Sequence, residues 1–295
     1  MTAMQNSYKH NIIDQDQLNP VSGLIVLMTD FGLKDGTVNE LKGVIYAVNK
    51  SLIISDLTHE IKAFDIFEAA YRLYQVAPYW PAGTIFVSVV DPGVGTERKS
   101  IILKSKTGLY FISPDNGILT FVNQMFGSEK IIEINENDHL LPNTNSSTSH
   151  GRDLYAYLAA KLASNSIKFD DIGVTLSTEL VQFSYKEPII DNDQLIGSIQ
   201  IHDGYGNIWT NIRLDLVNQY YLDTEKMYRV EIFCNSHKYY DKVIAFCKTY
   251  DDVAIGEDLL YINSVSCLAF GINQSNFTKH YNIGCGYDWH VKISR

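Results

Sequence analysis

Short apolar runs alternate with amphipathic segments through the first half of the chain. Runs typical of buried strands cover residues 24–28, 52–57 and 84–90. Between them, residues 37–49 and 65–77 repeat apolar side chains at the spacing of a helix with one buried face. This alternation of strand and helix predicts a mainly parallel sheet flanked by helices.

Further elements are predicted as far as the middle of the chain. Residues 100–104 and 110–112 form strand-like runs, and residues 118–126 have the spacing of a short helix. A longer helix is predicted for residues 153–163, which read DLYAYLAAKLA. Residues 170–187 are predicted to cross to a second domain.

The pattern changes after about residue 186, where short apolar runs separated by turn residues follow one another with few helical segments. The predicted strands cover residues 195–201, 208–212, 228–233, 259–262 and 289–293. We therefore predict an α/β protein with two domains. An N-terminal α/β domain spans residues 22–186, and a smaller, mostly antiparallel β domain spans residues 187–295.

Composition and charge narrow the classes of function. The chain has 295 residues, of which 45% are hydrophobic and 20% charged, as in ordinary globular proteins. Its net charge of −10 argues against nucleic acid as a partner, because binding a phosphate backbone needs a basic surface. A small cationic substrate remains compatible with this charge.

Targeting and redox signals are few. Residues 1–20 are polar and lack the apolar core of a signal peptide, and no apolar run approaches the ~20 residues that span a membrane. We therefore expect a cytoplasmic protein with no membrane partner. The four cysteines form no CxxC pair, so we expect buried free thiols and no metal site.

Three aspartates follow predicted strands, at the positions where α/β sheets gather their ligands. They are Asp30, Asp91 and Asp115, and each is followed by turn residues. After Asp91 the chain turns through two glycines and reaches Arg98. His150 precedes the predicted helix at 153–163. Each aspartate could equally be a turn former or a helix cap, and a histidine before a helix is more often a structural hydrogen-bonding group.

The predicted β domain contains one polar turn with an aromatic residue close behind it. Asp203 and Asn207 enclose two glycines, and Trp209 follows. A tight hairpin turn explains the glycines, whereas a binding site would use the polar groups and the indole as its walls. The chain contains no P-loop, no dinucleotide-binding fingerprint and no GxSxG nucleophile elbow. The residues alone therefore indicate an Asp/Arg/His site in a cleft, without naming the reaction.

Seven short motifs occur in a fixed order and together resemble one family. They are TDFG at 29–32, D-x-T-H at 56–59, VVDPGVGT-x-R at 89–98, PDNG at 114–117, HGRD at 150–153, GN-x-W-T-N at 206–211 and NS at 263–264. The set resembles the S-adenosyl-L-methionine (SAM) hydroxide adenosyltransferases, which are adenosine-forming SAM hydrolases related to the SAM-dependent fluorinase and chlorinase. The resemblance spans about residues 24–275.

The resemblance implies a reaction and a catalytic set. It implies hydrolysis of SAM to adenosine and L-methionine by SN2 attack of an activated water or hydroxide at C5′. SAM is the substrate in this chemistry, and neither a cofactor nor a metal is used. The family's catalytic Asp, Arg and His fall on Asp91, Arg98 and His150, and the halogenating relatives have uncharged residues in place of the aspartate and the histidine.

The same resemblance implies substrate contacts and an assembly. Asp30 corresponds to the residue that holds the ribose hydroxyls, and Phe64 to an aromatic residue beside the substrate. Asp203 and Asn207 of the second domain correspond to residues that contact the methionine amino group and nearby polar atoms. Trp209 and Ser264 correspond to further pocket positions, with Ser264 near the methionine carboxylate. Family members are typically homotrimers, with SAM bound between the N-terminal domain of one subunit and the C-terminal domain of the next.

Two other functions are compatible with the sequence. A SAM-dependent halide transferase would give a 5′-halo-5′-deoxyadenosine, and the charged Asp/Arg/His set disfavours it. A protein that binds SAM or adenosine without catalysis is the alternative from a different class.

Overall fold

The computed structural model describes residues 21–143, 148–286 and 288–295. The polar stretch 1–20, on which the expectation about a signal peptide rests, lies outside them. The chain divides into two compact units after Phe183. Within the described ranges, no helix is both long enough and apolar enough to cross a membrane.

The N-terminal unit is built on a seven-stranded sheet. Its strands are β1 Leu24–Thr29, β2 Ile53–Thr58, β3 Ile85–Val89, β4 Ser100–Ser105, β5 Tyr110–Pro114, β6 Ser128–Ile134 and β7 Gly173–Thr175. They lie in the order β2-β1-β3-β5-β4-β6-β7. The first four in this order run parallel, and β4, β6 and β7 each pair antiparallel with their neighbours.

Helices cover both faces of this sheet. They are α1 Thr37–Val48, α2 Ile66–Val76, α3 Thr120–Phe126, α4 Glu136–His139 and α5 Tyr157–Ala163, with a π-helical turn over Gly151–Ala156 before α5. Single 3₁₀ turns cover Ala77–Tyr79 and Phe169–Asp171. Because successive side chains of a strand point to opposite faces, Ile25 and Leu27 pack in one core, and Val26 and Met28 in the other. Burial on both faces explains why β1 and β3 are continuous apolar runs.

The structure corrects three predictions in this unit. Strands β6 and β7 fall outside the predicted strands, because β6 carries charged residues on a half-exposed face and β7 has only three residues. β7 lies inside the segment predicted to cross between domains. The helix predicted from residue 153 begins at Gly151, and its first six residues wind as a π-helix.

The C-terminal unit is one eight-stranded sheet. Its strands are β8 Ile189–Asp191, β9 Gln194–His202, β10 Ile208–Arg213, β11 Met227–Cys234, β12 His237–Phe246, β13 Asp258–Ile262, β14 Cys267–Ile272 and β15 Trp289–Ser294. All pairings are antiparallel except that of β12 with β13. An additional pairing of β9 with β10 closes seven of the strands into a barrel-like ring. Its helices are α6 Leu214–Gln219 and α7 Phe277–Tyr281, and a 3₁₀ turn covers Tyr250–Asp252.

The predicted α/β fold class is confirmed, with a helix-covered sheet in one unit and a mostly antiparallel sheet in the other. Strands β8, β12 and β14 add to those predicted. The expectation of buried cysteines is right for Cys247 and Cys267 and wrong for Cys285, which is exposed.

Candidate active site

All three predicted aspartates reach the same edge of the N-terminal sheet, because β1, β3 and β5 run parallel, but Asp115 does not line the pocket that Asp30 and Asp91 share. Strands β1 and β3 are parallel neighbours in which Thr29 pairs with Val89, so Asp30 and Asp91 follow the two strand ends side by side. They line a pocket of about 330 Å³ together with Phe64 and His150. The remaining lining residues are Phe31, Thr37, Glu40, Leu41, Ala63, Val89, Val94, Thr148, Ser149, Gly151 and Arg152.

Asp91 and Arg98 form a buried ion pair. The Nε of Arg98 donates a hydrogen bond of 2.7 Å to Oδ2 of Asp91, and the Nη2 of Arg98 contacts the same oxygen. Their side chains are 6% and 11% exposed. Burial is the largest single effect and would lower the pKa of Arg98, but the hydrogen bond to Asp91 and the electrostatic effects of Tyr155, Asp91 and Glu136 together outweigh it, so the pKa is raised. The guanidinium therefore keeps its charge and fixes the Asp91 carboxylate at the pocket wall.

The two glycines between Asp91 and Arg98 serve different purposes. Gly95 has a φ of +80°, a left-handed conformation that side chains other than glycine's adopt at a cost. Gly93 lies against the returning arginine, since a Cβ at this position would be 3.3 Å from Cγ of Arg98. The hydroxyl of Thr96 donates to the carbonyl of Gly93 at 2.7 Å and closes the turn.

Glu136 connects this pair with His150, and none of the sequence motifs contains it. Its Oε1 accepts a hydrogen bond from Oγ of Ser100 at 2.5 Å and lies 3.7 Å from Nη1 of Arg98. Its Oε2 lies 3.4 Å from Nε2 of His150. Contact with His150 lowers the pKa of Glu136 against the opposing effect of burial, with smaller contributions from Ser100 and Arg98.

Ser100 and Tyr155 complete this polar cluster. Nη1 of Arg98 donates to Oγ of Ser100 at 2.9 Å, and the hydroxyl of Tyr155 lies 2.8 Å from the same oxygen. Ser100 begins β4 and Glu136 follows β6, both at the edge where the parallel strands end, because β4 and β6 run antiparallel to each other. Glu136 follows the end of β6 as Asp91 follows the end of β3. A sequence prediction of β6 would therefore have placed Glu136 at the same edge of the sheet as Asp91.

Asp30 and Phe64 meet on the other side of the pocket. Oδ2 of Asp30 accepts a 2.9 Å hydrogen bond from the backbone amide of Phe64. Phe64 has a φ of +68° and is 67% exposed. A left-handed backbone is uncommon for a bulky residue, and the contact with Asp30 helps to hold it.

Asp115 and His59 have structural partners instead. The carboxylate of Asp115 is buried and accepts the amide of Val181 at 2.9 Å, so the expectation that it shares the cleft with the other two aspartates is wrong. Burial raises the pKa of Asp115. The ring of His59 is buried, with Nδ1 2.8 Å from the hydroxyl of Thr29 and Nε2 3.2 Å from Asp56.

Arg152 lines the pocket with its charge already compensated. It donates to both carboxylate oxygens of Asp153, at 2.6 and 2.9 Å, and to Glu40 at 2.8 Å. These bonds, that to Asp153 above all, raise its pKa.

The remaining predicted residues lie in the C-terminal unit. Oδ1 of Asp203 accepts the amides of Tyr205 and Asn207 at 2.9 Å each, and Oδ2 accepts the side-chain amide of Asn207 at 2.9 Å. These bonds account for the hairpin turn and bring Asp203 and Asn207 together. Trp209 is buried on β10, where it pairs with Ala269 of β14. Ser264 is exposed in the turn between β13 and β14.

Comparison with known proteins covers both units. Residues 25–173 match the SAM hydroxide adenosyltransferase N-terminal domain, and residues 197–290 match the C-terminal domain. An (R)-S-adenosyl-L-methionine hydrolase of Methanocaldococcus jannaschii is 40% identical over 205 residues, which cover 68% of this chain and 71% of that protein.

More distant relatives cover more of the chain. A hydrolase of the same name from Salinispora tropica is 30% identical, over 84% of this chain and 90% of its own. A fluorinase of Nocardia brasiliensis is 26% identical, over 92% and 97%. The crystal structure of an uncharacterized conserved protein from Thermotoga maritima superposes with a TM-score of 0.85 at 33% identity, over 92% of this chain and 100% of that one.

Proposed function

Because the chain belongs to the SAM hydroxide adenosyltransferase family, we propose that it hydrolyses SAM to adenosine and L-methionine. The observation that carries this function is the Asp91–Arg98 ion pair, which is linked through Glu136 to His150. Asp91 and His150 line one pocket, and Arg98 and Glu136 lie behind them. Asp, Arg and His are the residues that the resemblance assigns to attack by water.

The reaction balances without a cofactor or a metal. The oxygen of water attacks C5′ of SAM as the C5′–S bond breaks, and the bonding electrons stay on sulfur. The positive sulfonium becomes the neutral thioether of methionine, and one proton of the water is released. The sulfonium is thus a sufficient leaving group, and the enzyme must supply an oriented water and a route for its proton.

The three catalytic side chains have separate tasks in this proposal. Asp91 accepts a hydrogen bond from the attacking water at the pocket wall. Arg98 holds Asp91 in place and favours hydroxide character in the water through its permanent charge. His150 accepts the proton. Positioning contributes about 7–11 kcal/mol to lowering the barrier in well-oriented systems, so rigid support of Asp91 matters more than base strength.

Substrate binding is proposed on both units. Asp30 holds the ribose hydroxyls, for which a carboxylate is a natural acceptor, and Phe64 lies beside the substrate. The methionine end is bound by Asp203, Asn207 and Ser264 of the C-terminal unit, and Trp209 contributes a further position of the substrate pocket. The carboxylate of Asp203 keeps accepting capacity on Oδ2 for an ammonium group.

We further propose a cytoplasmic homotrimer in which the C-terminal unit of a neighbouring subunit completes each site. Light scattering should then give three times the chain mass. A monomer with full activity would contradict this assembly while leaving the reaction in place.

The reaction is tested by incubating the protein with SAM in ¹⁸O-labelled water. The 5′-hydroxyl of the adenosine produced should carry the label, and dialysis against EDTA should leave the rate unchanged. Unlabelled adenosine would contradict attack by water. A 5′-chloro product in the presence of chloride would indicate a halide transferase, and binding of SAM without turnover would indicate a binding protein.

Arg98→Ala tests the assignment of the site. Because Asp91 loses its buried partner, we expect the rate to fall by at least about 100-fold, which is the scale of a lost electrostatic stabiliser. Lys99→Ala is the matched control, since Lys99 pairs with Glu133 outside the pocket. Equal rates for Arg98→Ala and the unmodified chain would refute the catalytic assignment.

A further inference from the structure

Glu136 lies between the Asp91–Arg98 pair and His150. Its two carboxylate oxygens face different partners, with Oε1 at Ser100 and Arg98 and Oε2 at His150. We propose that Glu136 is a positioning residue that holds a proton on Nε2 of His150, so that Nδ1 is the nitrogen that accepts the proton of the attacking water. This inference rests on the proposed function.

The chemistry of the two groups fixes the position of the proton. An ionised carboxylate only accepts hydrogen bonds, and a neutral imidazole has one donor and one acceptor nitrogen. Since Nε2 faces Oε2 of Glu136 at 3.4 Å, Nε2 carries the hydrogen. Nδ1 is buried and has no hydrogen-bond partner among the described residues, whereas other atoms of His150 line the pocket, so the proton transfer requires that the attacking water gains access to Nδ1. A carboxylate orients the catalytic imidazole in the same way in serine hydrolases.

Glu136 also compensates the charge that forms during the reaction. When Nδ1 takes the proton of the water, His150 becomes an imidazolium whose Nε2–H already faces a carboxylate. The distance of 3.4 Å is long for a hydrogen bond, and such contacts tighten in the transition state. Ser100 and Arg98 keep Oε1 in place meanwhile, so Oε2 remains directed at His150.

Removing this carboxylate should cost the fold little stability. The side chain of Glu136 is 34% exposed, and ion pairs at such positions contribute little to stability. Glu133 provides a matched control. It lies three residues earlier, is similarly exposed at 32%, and forms a 2.7 Å ion pair with Lys99. Glu133 therefore tests the loss of a neighbouring carboxylate that has no link to His150.

The first experiment measures SAM turnover by Glu136→Gln. We expect kcat to fall by about 10- to 100-fold, as for other groups that orient a catalytic ligand, with KM for SAM changed less than about threefold. Glu136→Asp should recover part of the rate, and Glu133→Gln should match the unmodified chain. An unchanged kcat in Glu136→Gln, with a melting temperature that shows it is folded, would overturn the proposal.

A double-mutant cycle separates an action through His150 from a general structural effect. In a His150→Ala background, Glu136→Gln should lower the residual rate by less than about threefold, because groups that act as a unit are not additive. If the two effects multiply instead, Glu136 acts independently of His150 and the proposal is wrong.

A final measurement does not depend on turnover. Nitrogen-15 spectra of histidine-labelled protein report which ring nitrogen carries the hydrogen, and His150→Ala assigns the signals. At alkaline pH, His150 should be protonated on Nε2, and Glu136→Ala should weaken this preference. A proton on Nδ1 would refute the role of Glu136 even in an active enzyme. Absence of SAM turnover together with the expected tautomer would instead refute only the proposed reaction.

Discussion

Two carboxylates of the N-terminal unit respond in opposite ways to their surroundings. Asp115 is buried, and loss of hydration raises its pKa in spite of the hydrogen bond from Val181. Glu136 is more exposed, and contact with His150 lowers its pKa. The same type of group therefore contacts a backbone amide at one position and the ring of His150 at the other, and its pKa shifts in opposite directions because its partners and burial differ.

The raised pKa of Asp115 predicts that its contribution to the free energy of unfolding depends on pH. The unfolded chain ionises this group near its ordinary pKa of about 3.9, while the folded chain still holds the proton. The contribution of Asp115 to stability is therefore complete below that pH and is lost as the pH rises through the higher folded pKa. Asp115→Asn keeps an oxygen for the amide of Val181 and removes this loss.

The measurement is the melting temperature between about pH 4 and pH 7, the range in which a raised carboxyl pKa acts. Relative to the unmodified chain, Asp115→Asn should gain stability as the pH rises. Ser113→Ala is a control two residues away that removes no titratable group, and its difference should stay constant. If Asp115→Asn raises the melting temperature only at acid pH, the pKa of Asp115 is not raised by folding.

The hairpin turn between β9 and β10 contains two glycines, Gly204 and Gly206, whose surroundings differ. The hairpin between β9 and β10 has Gly206 at a φ of +84°, and a Cβ there would lie 2.2 Å from side-chain atoms of Asn276. A Cβ on Gly204, in the same turn, would point into open space with no other atom within 4 Å. The two glycines are therefore not equivalent, although the sequence presents them alike.

Gly206→Ala should lower the free energy of unfolding by about 1–3 kcal/mol, the typical cost of overpacking, in addition to the strain of its backbone. Gly204→Ala should change it by less than about 0.5 kcal/mol, as for an ordinary surface substitution. Chemical denaturation of the two variants checks this. Equal midpoints would mean that the turn moves to accommodate the methyl group.

Hydrophobic periodicity predicted the elements whose buried side stays against the same core from end to end. β1, β3 and α1 are examples, since their apolar residues face continuous cores. The same criterion misses β12, where buried and exposed residues follow no simple alternation, and β7, which is too short to show a period. It also cannot detect the π-helical winding at Gly151–Ala156, because that changes the spacing over only one turn.

The charge of the whole molecule bears on how substrate reaches the site. The chain carries a net charge of −10. Of the acidic pocket residues, Asp91 and Glu40 pair with Arg98 and Arg152, whereas Asp30 accepts a hydrogen bond from an uncharged backbone amide. The proposed substrate has one net positive charge at neutral pH, from its sulfonium, ammonium and carboxylate together. Long-range attraction should therefore accelerate the encounter with SAM.

Salt should weaken this electrostatic attraction between the protein and SAM. Between about 0.02 and 0.3 M NaCl the screening length shortens several-fold, so kcat/KM for SAM should fall while kcat changes little. Binding of adenosine, which is uncharged, is the control and should not respond. A kcat/KM that is independent of ionic strength would show that the charge of the protein does not steer the substrate.

The sequence by itself determined the two-unit α/β organisation and the identity of most polar residues at the strand ends. It could do so because burial imposes a period on apolar residues, and turn and charge chemistry is local. Only the tertiary structure decided which of these residues meet. It brought Asp91 and His150 to one pocket, placed Asp115 elsewhere, and put Glu136 between Arg98 and His150. Such contacts join residues distant along the chain, and they depend on strand order and direction, which no local pattern encodes.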